Sequence, residues 1–259
     1  MEIMQAKELV IKAGKELIES GLIARTWGNI SCRISDTQFV ITPSGRAYET
    51  LTPEEIVLVN IEDLEYEGEI KPSSEKGIHA ACYKLRPEIG FVIHTHQVNA
   101  SIVSALGMDI NNVEGENAQV VGNNVPIASY GLPGTKKLRK GVIDAITRSD
   151  AKAAVMSHHG AVCMGKDYDD AFAIAQTLED ACFEHLSTKY DIVTDNKEIP
   201  QEQLPVGETV VYTASVDGAD TKAQLNEAGT KSEWVANDAI TVHDGTNSYK
   251  FTTAQAGQN

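Results

Sequence analysis

Residues 89–96 read IGFVIHTH, an apolar run that closes on two histidines one residue apart. It is the clearest strand in the chain, and in a strand residues i and i+2 point to the same face. Two imidazoles on one face, about 6–7 Å apart at their Cα atoms, can converge on one metal ion. His94 and His96 are therefore candidate ligands. A second apolar run, AAVMS (153–157), is followed by His158, His159 and Gly160. A glycine directly after a histidine lets the backbone turn sharply or another group approach closely. One of this pair is a candidate third ligand.

Other segments supply the layers such strands need. Residues 3–20 have helical spacing, with Ile3, Leu9 beside Val10, Ala13, Leu17 and Ile18 on one face and Gly21 as a stop. The runs NISCRI, QFVIT and IVLVNI read as strands. Helices are expected from Ser73-Ser74-Glu75 to about Leu85, over ASIVSAL, over 136–148 and over 167–190. Strands and helices alternate without strict βαβ regularity, which predicts an α/β fold with a mixed sheet. After about residue 190 the composition becomes more acidic. VVYTASV and a hairpin, DAITVHDGTNSYKFTT, turning at Asp244-Gly245, predict a β-rich C-terminal extension over 191–259, separate from a domain over 1–190.

Charge narrows the partners. Lys plus Arg is 22 and Asp plus Glu is 37, a formal charge of −15. Such a surface repels polyanions, so no nucleic acid and no anionic membrane is expected as a partner. Any phosphate must be small and held in a local pocket. The chain has no apolar run of about 18 residues, and MEIMQAKELVIKAGKELIES lacks the features of a secretory signal. Cys32, Cys82, Cys163 and Cys182 are widely spaced, which suits buried thiols in a reducing cytoplasm.

Glu75 follows Pro72-Ser73-Ser74 at a predicted helix start. An acid there either serves the helix electrostatically or joins the histidines. Three histidines with a nearby carboxylate suit a catalytic Zn²⁺ or similar divalent ion. His79, one turn on, is placed to border such a site. The turns at Gly28-Asn29, Ser44-Gly45 and Ser73-Ser74 offer backbone N–H groups and hydroxyls, and together they can form an anion cradle without Lys or Arg.

In order, the chain shows GNIS (28–31), ITPSG (41–45), KPSSE (71–75), HTH (94–96) and SHHG (157–160). This series closely resembles the class II aldolase/adducin head family, over about residues 5–190. The resemblance implies a three-layer α/β/α domain with a central mixed or antiparallel sheet, assembled as a homotetramer with sites between subunits. It implies one Zn²⁺ per chain on His94, His96 and His159, with another divalent metal as a possible substitute. Glu75 then resembles the family's acid/base. Gly28, Asn29, Ser44, Gly45, Ser73 and Ser74 resemble its phosphate-binding set. The implied activity is cleavage of a ketose 1-phosphate, such as fuculose 1-phosphate or a related deoxyketose phosphate, to dihydroxyacetone phosphate and an aldehyde, through a zinc-stabilised enediolate.

Glu at position 75 favours aldol cleavage over the family's 4-epimerases, which carry Asp; dehydratases and decarboxylases of the family remain alternatives. A non-catalytic scaffold like the adducin heads is a further reading, but those have lost metal ligands that this sequence keeps. Where the fuculose-type aldolases carry an interface tyrosine, this chain reads VEGEN (113–117), with Glu114 and Glu116 as acidic candidates. Tyr130 lies in another stretch of family character, and Tyr212 in a tail that does not match the family pattern.

Overall fold

The computed structural model describes residues 1–23 and 26–190, and four short strands beyond them. The chain divides into two units, Met1–Asp195 and Asn196–Asn259.

In the first unit, helix α1 (Ile3–Glu19) buries Ala6, Val10, Ala13 and Leu17, the stripe its spacing predicts; Ile3 in the first turn is exposed. Gly21 ends the helix in the left-handed conformation at φ 73°. Strands β1 (Asn29–Arg33), β2 (Gln38–Ile41) and β3 (Val57–Asn60) form an antiparallel meander. Helix α2 (Lys76–Leu85) leads to β4 (Phe91–Thr95), which pairs with β1. Then come α3 (Val98–Leu106), β5 (Ile110–Asn111), α4 (Gly115–Val121), β6 (Asn124–Val125), β7 (Ile127–Ala128) and α5 (Lys136–Thr147). Strands β8 (Ala153–Met156) and β9 (Gly160–Gly165) and the long α6 (Tyr168–Tyr190) complete the unit.

One seven-stranded sheet runs in the order β3-β2-β1-β4-β9-β8-β7. Only β7 with β8 is parallel; the other pairs in this sheet are antiparallel. Every residue of β4, β8 and β9 is buried. Alternate side chains explain why. Ile30, Phe91, Ile93, Val155 and Cys163 join one core with α1, α3 and α6. Phe39, Val92, Met156, Val162 and Met164 join another with α2 and α5. Full burial of one large apolar side chain contributes about 1.5–3 kcal/mol, so two apolar faces hold the sheet firmly between helices. The result is the expected three-layer α/β/α arrangement around a mostly antiparallel sheet.

Helix α4 and the β5–β6 pair depart from the sequence expectation. Only Val121 is buried in α4, so the segment carries no periodic apolar signal. In the second unit, β10 (Gln224–Leu225) pairs with β11 (Ser232–Glu233). Strands β12 (Ala239–His243) and β13 (Ser248–Thr252) pair antiparallel from Ala239 opposite Thr252 to His243 opposite Ser248, the register of the predicted hairpin. Its turn at Asp244-Gly245 and the VVYTASV run with Tyr212 lie outside the described residues. Among the described residues, no helix is long and apolar enough to cross a membrane.

Candidate active site

The site forms where β1, β4 and β9, adjacent in the sheet, meet the start of α2. Asn29 opens β1 directly opposite His94, near the end of β4. The β8–β9 turn carries His159 to the same place. This approach needs Gly160, since a Cβ there would overlap the Thr95 carbonyl oxygen and crowd the His94 ring. Gly28 is equally constrained: its φ is 94°, and a Cβ would fall 2.5 Å from the His94 carbonyl oxygen.

His94, His96 and His159 each offer a ring nitrogen, and these atoms lie within 4.8 Å of one another. Three nitrogens gathered this closely are within reach of a single divalent ion. His158 does not join them. Its Nδ1 lies 2.8 Å from Ser157 Oγ, and its ring meets Tyr130 edge-on. Of the adjacent pair, the geometry selects His159.

Glu75 is buried among these rings. Its Oε2 lies 3.2 Å from His94 Nε2 and its Oε1 3.1 Å from His159 Nε2. The carboxylate makes no helix-capping bond; Ser73 Oγ accepts from the Glu75 N–H instead. The site reading of Glu75 therefore fits the geometry better than the capping one. Burial raises the Glu75 carboxyl, but the bond from His159, the neighbouring imidazoles and the Asn29 amide outweigh it and hold it well below the usual carboxylate range.

His94 shows why this cluster suits a cation. Its Nδ1–H donates to the Ala161 carbonyl at 2.7 Å, which leaves a lone pair on Nε2. That lone pair faces Glu75 Oε2, with no proton between them. Burial lowers the His94 pKa and pushes His96 down to about 3, which favours the neutral, ligating forms. His94 and His96, held neutral, with the His159 ring and a buried carboxylate beside them, are a donor set for a divalent ion.

Two clamped loops also border the site. The Ser44 N–H donates to the Lys71 carbonyl, and the Ser73 N–H donates to the Thr42 carbonyl. Gly28, Asn29, Ser44, Gly45, Ser73, Ser74, Glu75, His96 and His159 all line one cleft of about 420 Å³. His94 lies against Glu75 and His159, 1% exposed. Trp27, Arg46, Tyr48 and Pro133 also line the cleft, and sequence reasoning misses them. Trp27 lies 6.1 Å from His96, ring to ring. No spacing pattern announces these four; Trp27 adjoins Gly28, and Arg46 and Tyr48 follow Gly45. Glu114, Glu116 and Tyr130 do not line this cleft. His79 does not border it either, but lies fully buried behind Asn29.

Residues 8–186 match the family model described as class II aldolase and adducin N-terminal domain. The chain belongs to this family. It is 31% identical over 205 residues to a 5-deoxy-D-ribulose 1-phosphate aldolase of Bacillus thuringiensis serovar kurstaki, covering 79% of this chain and 94% of the relative. It is 37% identical over 179 residues to a 5-methylthioribulose-1-phosphate/5-deoxyribulose-1-phosphate aldolase of Escherichia coli, covering 69% and 82%. Its fold matches a solved L-fuculose 1-phosphate aldolase with a TM-score of 0.68 at 28% identity, over 72% of this chain and 87% of that one.

Proposed function

We propose that this protein is a metal-dependent class II aldolase that interconverts a ketose 1-phosphate with dihydroxyacetone phosphate and an aldehyde. The observation that carries the reading is the convergence of His94, His96, His159 and a buried Glu75 on a cleft also lined by Ser44, Ser73 and Ser74. His94, His96 and His159 would hold one divalent ion, and their nitrogen-only set favours zinc. Bound there, the ion supplies Lewis acidity that offsets the negative charge of an enediolate.

The residues divide the remaining work. The Ser44, Ser73 and Ser74 loops, with Gly28 and Gly45, bind the phosphate and fix the reacting end of the substrate beside Glu75. In the condensation direction, ionised Glu75 takes a proton from C3 of dihydroxyacetone phosphate. The C3 electron pair then attacks the aldehyde carbon, and the new C3–C4 bond leaves an alkoxide at C4 that takes up a proton. Cleavage is the reverse: the C4 hydroxyl loses its proton, the C3–C4 bond breaks, and Glu75 returns a proton to C3. Trp27, exposed in the cleft beside His96, offers an apolar wall for a deoxy or methyl-terminated aldehyde. This matches the substrates named for the relatives, so L-fuculose 1-phosphate or a 5-deoxypentulose 1-phosphate is the proposed substrate.

Residues 1–190 form the proposed catalytic domain and residues 191–259 an extension to it. A homotetramer with sites between subunits is the proposed assembly. Val98, Ile102 and Leu106 support it, as an exposed apolar stripe at i, i+4 and i+8 on α3. All four cysteines are unpaired and buried, which suits a cytoplasmic protein. The test is metal content together with release of dihydroxyacetone phosphate from L-fuculose 1-phosphate and 5-deoxyribulose 1-phosphate. About one Zn²⁺ per chain with triose phosphate release supports the reading; bound metal with neither substrate cleaved moves the assignment to an epimerase, dehydratase or decarboxylase.

A further inference from the structure

A line of buried hydrogen bonds runs away from the cleft behind Glu75. Glu75 Oε2 meets Asn29 Nδ2 at 3.0 Å. The other end of that amide, Oδ1, meets His79 Nε2. His79 Nδ1 lies 2.6 Å from Ser31 Oγ, and Ser31 Oγ lies 2.7 Å from the Tyr83 hydroxyl. Ser31 and His79 have no exposed surface, and Asn29 and Tyr83 almost none. Two elements present the whole line. Asn29 and Ser31 stand at i and i+2 on one face of β1, and Glu75, His79 and Tyr83 follow at i, i+4 and i+8 along α2.

The carboxylate sets the direction of every bond. An ionised Glu75 only accepts, so the Asn29 amide must present its NH₂ and turn its oxygen to His79. His79 must then donate from Nε2. Burial pushes this imidazole down to about 3, so it is neutral and Nδ1 is an acceptor. Ser31 gives its only proton to Nδ1 and accepts from Tyr83. All four donors therefore point toward Glu75, and each bond polarises the next. Without His79, the Asn29 amide oxygen would be left buried with no donor, and only the carboxylate itself would hold the amide in place.

We propose that His79 is a positioning residue for Glu75: held as its Nε2–H tautomer by Ser31 and Tyr83, it orients the Asn29 amide that aims the carboxylate. The proposal rests on the reading of Glu75 as the base. It also moves the Asn29 side chain from the phosphate cradle to the carboxylate.

The full-length, metal-loaded protein tests this in two ways. Imidazole ¹⁵N spectra, with His79 assigned by loss of its signals in His79→Gln, should show a protonated Nε2 and a bare Nδ1. The opposite tautomer overturns the proposal. In turnover of L-fuculose 1-phosphate, His79→Phe should lower kcat about 10- to 100-fold with KM and metal content near wild type. A lower Tm with unchanged kcat would leave His79 a merely structural residue and overturn the proposal. Should His79→Phe fail to fold, Tyr83→Phe removes the far donor of the line; it should lower kcat with KM near wild type, and an unchanged kcat overturns the proposal. If the wild type does not cleave this sugar phosphate while His79 shows the expected tautomer, the substrate reading fails and the bond line stands.

Discussion

His159 Nε2 lies 3.0 Å from His94 Nε2, although 65 residues separate the two in the chain. The contact depends on the close approach of the β8–β9 turn to the end of β4, which the missing side chain of Gly160 permits. Gly160→Ala should destabilise the fold by about 1–3 kcal/mol, the usual cost of overpacking a rigid interior. It should also weaken metal binding, because His159 must move with its neighbour. Urea unfolding and metal titration of the same sample check both effects; wild-type values in both would mean the backbone has room to give.

His96 is less buried than His94, so its truncation costs little packing. His96→Ala should abolish stoichiometric metal and activity while Tm shifts by only a few degrees. Elemental analysis of the purified variant reads the first outcome directly. Retained metal at wild-type affinity would remove His96 from the ligand set.

Ser74 is exposed in the cleft wall. Ser74→Ala should leave stability unchanged and raise KM for the phosphorylated ketose about 10-fold or more, the worth of one hydrogen bond to a charged group. A KM equal to wild type would place the phosphate elsewhere.

Acid should unfold the metal-free protein in a defined window. His79 has its pKa pushed from 6.5 to about 3, first by burial and then by its neighbour His94. Between those values the unfolded chain binds a proton that the folded chain does not, so stability rises with pH there. His79 thus imposes no loss above about pH 6.5 and a growing one as the pH falls toward 3, up to about 4 kcal/mol. Replacing it with Gln should reduce the slope of unfolding free energy against pH by about one proton between about pH 6 and pH 4. An unaltered slope would show that His79 is already charged in the fold.

Much of the fold is legible in the sequence because its signals are local. IGFVIHTH marks β4 without ambiguity, and Gly21 stops α1 at the position its residue type predicts. The two short elements at 110–121 are not legible, since α4 buries only Val121 and owes its place to its neighbours. In the site, strand alternation predicts His94 and His96 on one face; His96 lies just past Thr95, where β4 ends, and its ring still reaches that of His94. Residue types alone leave the partner on the β8–β9 turn open between His158 and His159; the family resemblance implies His159, and the turn, with His158 at φ 55°, separates the two in the structure. The Ser31–His79–Tyr83 line is invisible for a different reason. Its members satisfy one another inside the protein, and no sequence motif distinguishes such a network from ordinary polar residues on a strand and a helix.

The register of the central strands carries one more consequence. His94 stands opposite Val162 on β9 and Asn29 on β1, while Ile93 and Thr95 turn to the other side of the sheet. A slip of β4 by one residue would bring an isoleucine or a threonine to the face where α2 waits with Glu75. A chain that pairs its strands wrongly therefore has no impaired version of this chemistry, only none at all. On the proposed function, the register that builds the sheet also builds the reactive centre, so metal occupancy of the histidine cluster should report whether a molecule has folded correctly.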